Sequence, residues 1–200
     1  MRERFDSGRR APYHAPAMGN PLRDRRTAAE WAAAGQVIEI AEKLGGFEQL
    51  ASIVQADIAA LDADKMPANW RDSGVVGRLQ FGFADAQRRV ATVHCNATVT
   101  VDAVCQRCLE AFRLPLETEA NLLLLELQET AEEYEDDEVW ELDEETLRPL
   151  DIVQELLIMA MPFSAMHVEL ASCKALSAAT DEREKITKPF AALRAQMLQD

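Results

Sequence analysis

The sequence predicts an α+β fold: an antiparallel β-sheet core around a long central hairpin that carries a CxxC at its tip, flanked by short helices. Three observations lead there. Residues 74–83, GVVGRLQFGF, and 88–105, RRVATVHCNATVTVDAVC, alternate apolar and polar side chains, as a strand with one buried and one wet face does. The alternation resumes in AFRLPLETEA after Cys108, so two long strands face each other across a short turn. Short amphipathic stretches on either side carry helix start and stop signals.

The chain has 200 residues, 48% of them hydrophobic, enough for one domain with a sizeable core. No apolar run approaches the roughly 18 residues a membrane span takes. The opening MRERFDSGRRAPYHAPAMGNP has no apolar stretch of the kind a secretory signal needs. The cytoplasm is therefore the expected compartment. There, four cysteines point to thiols or a metal site rather than to disulfides.

Residues 1–20 are rich in Arg, Pro, Gly and Ala and read as a flexible basic arm. TAAEWAAAG (27–35) reads as a short helix. Thr27 is the N-cap, Glu30 completes a capping box and Gly35 is the stop. QVIEIAEKLG and FEQLASIVQADIAAL, divided by Gly45-Gly46, fit a second helix or a mixture of helix and strand. ADAQ supplies the turn between the first two alternating runs. In the second run Ala91, Val93, Cys95, Ala97, Val99 and Val101 share one face. Thr92, His94, Asn96, Thr98 and Thr100 share the other. Beyond the cysteines, Phe112, Leu114 and Leu116 oppose Arg113, Glu117 and Glu119, and NLLLLEL continues as a more buried strand.

An acidic loop follows over 126–148, with one short strand around 139–142. DIVQELLIMAMP gives a helix over 150–161, with Asp151 as its cap, Gln154 at the capping-box position and Pro162 as its end. Residues 163–187 read as irregular. KPFAALRAQML closes the chain with a helix over 189–198, Pro189 standing at its first position, where a missing N–H costs nothing.

The net charge of −14 is unevenly spread. Residues 126–155 hold 14 acids against one base, Arg148, for a local charge of −13. Residues 1–26 hold seven Arg against three acids, for +4. Nucleic-acid binding runs on Lys and Arg neutralising phosphates, so the body of the protein is ill suited to it. An acidic surface suits a basic protein partner through complementary potential. The plain alternative is a solvated, solubilising face. Tyr134 and Trp140 within the acidic segment can anchor a partner, or in the case of Trp140 pack on the sheet.

CQRC, residues 105–108, carries the most specific chemistry. A redox pair opens a helix after a strand, because the helix N-terminus lowers the first thiol's pKa. Here LEAFRLPLE follows and reads as strand. A CxxC at a hairpin tip offers two thiolates to zinc, which takes four ligands in a structural site. His167 and Cys173 are the remaining candidates, so Cys105, Cys108, His167 and Cys173 form a possible Cys3His site. The alternative is a reduced pair at a turn with His167 an ordinary surface residue. Cys95 is in phase with the apolar face and reads as a buried core thiol. The chain has no Gly-rich phosphate loop, no G-x-S-x-G and no H-E-x-x-H. His14 lies in the arm and His94 on a strand's wet face.

VTVDAVCQRCLEAFRLPLE, the acidic loop, LDIVQELLIMAMPFSAMH and the closing KPFAALRAQM resemble, in that order, the YceD family of large ribosomal RNA subunit accumulation proteins. The resemblance spans roughly residues 20 to 198 and is sharpest in C-x-R-C-L-E-x-F and in the helix ending at a proline. It implies a single YceD-like domain over 21–200. It also implies a part in 23S rRNA accumulation and large (50S) subunit assembly, with no enzymatic activity established. Genes of the family typically neighbour that of a small zinc-binding protein of the same subunit. Some members carry a second cysteine cluster near the C-terminus, where this chain has His167 and Cys173.

Charge and resemblance together give the functional expectation: a non-enzymatic ribosome biogenesis factor engaging a basic ribosomal protein or pre-50S particle. Glu132, Glu133, Glu135, Asp136, Asp137 and Glu138 would steer the encounter. Arg107, Glu110 and Phe112 at the hairpin tip would add specificity. Any contact with rRNA is then indirect, and neither a membrane nor a small-molecule substrate is expected. The rivals are direct RNA binding through the basic arm and Arg107, and a zinc- or thiol-dependent enzyme.

Overall fold

The alternating run after residue 90 becomes the spine of the molecule. In the computed structural model, which describes residues 19–86, 90–126, 138–169, 172 and 173, it forms β3, Ala91–Val104. β3 pairs antiparallel with β2, Gly74–Phe83, on one side and with β4, Ala111–Leu125, on the other. β1, Val37–Lys43, pairs antiparallel with β2, and β5, Glu138–Glu141, pairs parallel with the end of β4. The sheet order is β1-β2-β3-β4-β5. The sheet is thus mostly antiparallel rather than wholly so. β5 runs parallel because the chain leaves β4 at its end and comes back alongside Leu122–Leu125 in the same direction.

The period-two pattern decides which face is covered. Val93, Cys95, Ala97, Val99 and Val101 are buried, together with Leu79 and Phe81 of β2. Helices α1 (Ala28–Ala34), α2 (Glu48–Ile58) and α3 (Pro149–Met159) pack on this side. Trp31 of α1 is fully buried and stacks on Phe81 with ring centroids 5.3 Å apart. Gly77 is the close-approach residue of the sheet. A Cβ there would stand 2.1 Å from the carbonyl oxygen of Asn96 and 2.7 Å from Cα of Ala97. On the opposite face Val90, Leu123 and Leu125 make a small separate cluster with Val139.

Local signals account for α1. Thr27 accepts from the Glu30 N–H, the Glu30 carboxylate accepts from the Thr27 N–H, and Gly35 ends the helix at φ 55°. The 36–58 segment resolves as strand then helix: β1 buries Ile38 and Ile40 on alternate positions, and α2 buries Leu50, Ala51, Val54 and Ile58 at helical spacing.

The start of α3 differs from the expected helix over 150–161. It begins at Pro149 and ends at Met159, and Asp151 lies inside its first turn instead of capping it. The fixed φ of Pro149 starts the helix earlier than Asp151 could. Asp151 instead takes a two-pronged pair from Arg148, at 2.6 and 2.8 Å. Gln154 does not complete a capping box on α3. It is buried, and its Oε1 accepts from the Gln49 N–H of α2 at 2.9 Å. Residues 1–18 of the basic arm, 127–137 of the acidic loop with Tyr134, and the 189–198 helix lie outside the described residues. No helix of the described residues is long and apolar enough to cross a membrane.

Candidate metal centre

Val104 and Ala111, the facing ends of β3 and β4, are joined by the six residues Cys105 to Glu110. The Cys105 N–H donates to the Glu110 carbonyl at 3.0 Å, and the Leu109 N–H donates to the Cys105 carbonyl at 2.8 Å. Leu109 holds φ 59°, the left-handed region that a branched side chain seldom adopts. This tight turn brings both thiols to one side. The Asp57 carboxylate of α2 braces its base by accepting the Val104 N–H at 2.7 Å.

The segment after α3 comes back to the same turn. The Gln106 N–H donates to the Ala165 carbonyl at 2.9 Å, and the His167 ring lies against Phe112 with centroids 4.7 Å apart. The result gathers all four candidate ligands. Cys105 Sγ is 3.9 Å from Cys173 Sγ, and His167 Nδ1 is 3.6 Å from Cys108 Sγ and 3.4 Å from Cys173 Sγ. One ligand atom from each residue lies within 4.8 Å of the others, and the group can hold a metal ion. A tetrahedral zinc with Zn–S of about 2.3 Å and Zn–N of about 2.0 Å has edges of roughly 3.5–3.8 Å. The separations of 3.9, 3.6 and 3.4 Å are close to those edges, and the remaining pairs lie within 4.8 Å.

The surroundings favour thiolate at Cys105. Cys105 and Cys173 are fully buried. Burial alone would push the Cys105 thiol up. The backbone N–H groups of His167, Cys108 and Arg107, helped by the Cys108 side chain, outweigh it and bring the thiol down to about 5. Burial pushes Cys173 up, as do its contacts with Cys108 and Cys105. Arg107 reaches over the cluster, Nη1 4.0 Å from Cys173 Sγ and Nη2 3.7 Å from Met166 Sδ. Cys95 is apart from this group, buried under the helices, with its thiol pushed by burial up to about 12.

The other candidate residues divide between two places. Arg107 covers the cysteines, Glu110 pairs with Lys65 at 3.3 Å, and Phe112 packs on His167. Glu138 is exposed at the start of β5 and pairs with Leu122, ten residues along β4 from Phe112, roughly 33 Å by strand rise. Glu132, Glu133, Glu135, Asp136 and Asp137 lie outside the described residues. Sequence reasoning missed Leu109, Gln106 and Met166. A non-glycine residue directly after the second cysteine of so tight a turn was the available signal for Leu109. The exposed Leu109, Met166 and Val168, each next in sequence to Cys108 or His167, give the cysteine cluster an apolar rim.

Fold and site together define a small α+β domain whose central hairpin is joined to the segment after α3 through a Cys3His cluster. Residues 93–195, slightly more than half of the chain, match the model of the family described as large ribosomal RNA subunit accumulation protein YceD, and the chain belongs to that family. Comparison with curated proteins and with solved structures gives no match.

Proposed function

We propose that the protein is a non-enzymatic factor of large (50S) ribosomal subunit assembly, acting in the cytoplasm to support 23S rRNA accumulation. It engages a basic ribosomal protein or the pre-50S particle through its acidic segment, and its effect on rRNA is indirect. The observation that carries this reading is the family match over 93–195, which takes in β3 from Val93 onward, the cysteine turn, β4 and α3. The charge distribution supports the choice of partner: the −13 of residues 126–155 faces a basic protein favourably and repels phosphate.

Zinc occupies the Cys105, Cys108, His167 and Cys173 cluster as a closed structural site. Four protein ligands leave no open position for substrate or activated water. Zinc would tie the β3–β4 turn to the segment after α3 and so hold Arg107, Glu110 and Phe112 in place.

The test is the ratio of 23S to 16S rRNA, with a sucrose-gradient profile, in cells with and without the gene. A lowered ratio and a depleted free large subunit, restored by the wild-type gene but not by Cys105→Ser/Cys108→Ser, is the expected result. An unchanged ratio and profile across growth conditions would overturn the reading.

A further inference from the structure

β4 is paired with β3 from Ala111 to Leu124, but β5 covers its other side only at Leu122–Leu125. The Cys105 N–H bond to Glu110 sets the phase of the ladder, so the odd-numbered residues of β4 turn their backbone groups away from β3. Pro115, which has no N–H to give, falls on that outward phase. Among the described residues no backbone hydrogen bond reaches the outward groups of Arg113, Pro115, Glu117 or Glu119. Among the described residues a stretch of strand edge is therefore open.

An open edge is usually blunted by charge and proline, and Pro115 and Arg113 serve that purpose near the cysteine turn. Nearer β5 the edge has a different character. A groove of about 560 Å³ runs beside it, floored by Ala120, Leu122, Leu156 and Met159. Met159 is 67% exposed although it ends the helix that packs against β4. The rim is acidic: Glu117, Glu119 and Glu138 border the groove, and none has an ion-pair partner among the described residues. The α3 C-terminus at Ala160 adds the negative end of a helix dipole.

We propose that this edge and groove bind an extended basic segment of a partner protein, which adds to the sheet as a strand beside β4, end to end with β5. Backbone bonds to Glu117 and Glu119 align the segment. Its alternate side chains then divide as any strand's do. Apolar ones enter the groove against Leu122, Leu156 and Met159, and Lys or Arg on the other face meets Glu117 and Glu119. The occupant's chemistry is thus an alternation of basic and apolar residues in an extended chain. The proposal rests on the reading above that the partner is a basic protein, and it names the mode of docking.

The probe is an end-capped eight-residue peptide of alternating Lys and Val, compared with the same peptide N-methylated at alternate residues. Both have the same charge and side chains, but the second cannot complete a strand ladder. With the full-length protein, the plain peptide should bind at least about tenfold more tightly, the equivalent of one or two net backbone hydrogen bonds. It should also slow amide exchange at Glu117 and Glu119. Glu119→Pro removes an outward N–H and no bond to β3, as Pro115 already does. It should weaken binding beyond the loss seen with Glu119→Gln while melting stays unchanged. Equal binding of the two peptides, or no binding of either, overturns the proposal. Charge reversal of 132–138 judges the acidic-surface reading separately. If it weakens association with pre-50S particles while the peptides bind alike, that reading stands and strand addition falls.

Discussion

Cys105 Sγ lies 3.9 Å from Cys173 Sγ although 68 residues separate them in the chain. Nothing in the backbone ladder requires that meeting. β3 ends at Val104, and Cys173 follows α3 by more than ten residues. Three buried thiols and an imidazole so close together gain little from packing alone, whereas a shared cation turns their mutual repulsion as thiolates into attraction. Purified protein should carry about one zinc per chain by mass spectrometry. Cys105→Ser or Cys173→Ser should reduce it below about a tenth. Chelation should lower the melting temperature of the wild type by several degrees and leave the variants unmoved. Equal melting with and without metal, and no bound zinc, would remove the site.

Cys95 gives a pH dependence of its own. Its folded thiol is held up to about 12 by burial, against an ordinary value of 9.0. The raised pKa means that the folded state keeps a proton the unfolded state gives up. Stability is therefore unaffected below pH 9 and falls as pH rises from there towards 12, by up to about 1.4 kcal/mol per unit. Denaturant melts between pH 8 and 11 should show that decline, and Cys95→Ala should flatten it after a cavity loss that is the same at every pH. In native protein at neutral pH, alkylating reagents should leave Cys95 unmodified.

Gln154 carries the first turn of α2. Phe47 precedes that helix and offers no side-chain acceptor, and the Gln49 N–H is satisfied by Gln154 Oε1 of α3 at 2.9 Å. Gln154→Leu keeps the volume but strands a partly buried donor, so it should cost about 1–2 kcal/mol by urea denaturation. Gln154→Glu supplies a carboxylate at a helix N-terminus and should recover much of that loss.

Gly77 marks the tightest place in the sheet. Gly77→Ala would drive a methyl into the Asn96 carbonyl, which belongs to the neighbouring strand and cannot rotate away. The expected cost is about 3 kcal/mol, at the upper end for overpacking. The neighbouring Gly74 has open space around its Cα, so Gly74→Ala is the control and should change stability by less than about 0.5 kcal/mol.

These contacts show what was legible in the sequence and what was not. The face assignment of β3 followed from its period, because each inward residue from Ala91 to Val101 is apolar and its neighbours are not. The α1 caps followed from Thr27, Glu30 and Gly35, since capping is a local chemistry of four or five residues. The start of α3 was misread because Asp151 and Gln154 are good local caps whose partners turned out to be Arg148 and a distant helix. β1 stayed ambiguous because seven residues give only two buried side chains in phase, Ile38 and Ile40, and a helix follows at once. The parallel pairing of β5 and the meeting of Cys173 with the turn depend on contacts between distant segments, which no local periodicity encodes.

Leu109 lets folding and function be tested apart at the cysteine turn. It holds φ 59° and is 66% exposed, so it accepts backbone strain without burying its side chain. An isobutyl group in the left-handed region costs about 1 kcal/mol relative to glycine, which adopts it freely. Strain of that kind persists where the side chain is needed for something other than packing, and Leu109 stands with Met166 and Val168 on the apolar rim of the Cys3His cluster, each next in sequence to a candidate ligand. Leu109→Gly should leave zinc content unchanged and stability equal or raised by up to about 1 kcal/mol. It should nevertheless weaken co-sedimentation with pre-50S particles by several-fold. Loss of stability would assign Leu109 to the fold after all. Raised stability with undiminished co-sedimentation would show that the rim takes no part in docking and leave Arg107, Glu110 and Phe112 to be tested alone.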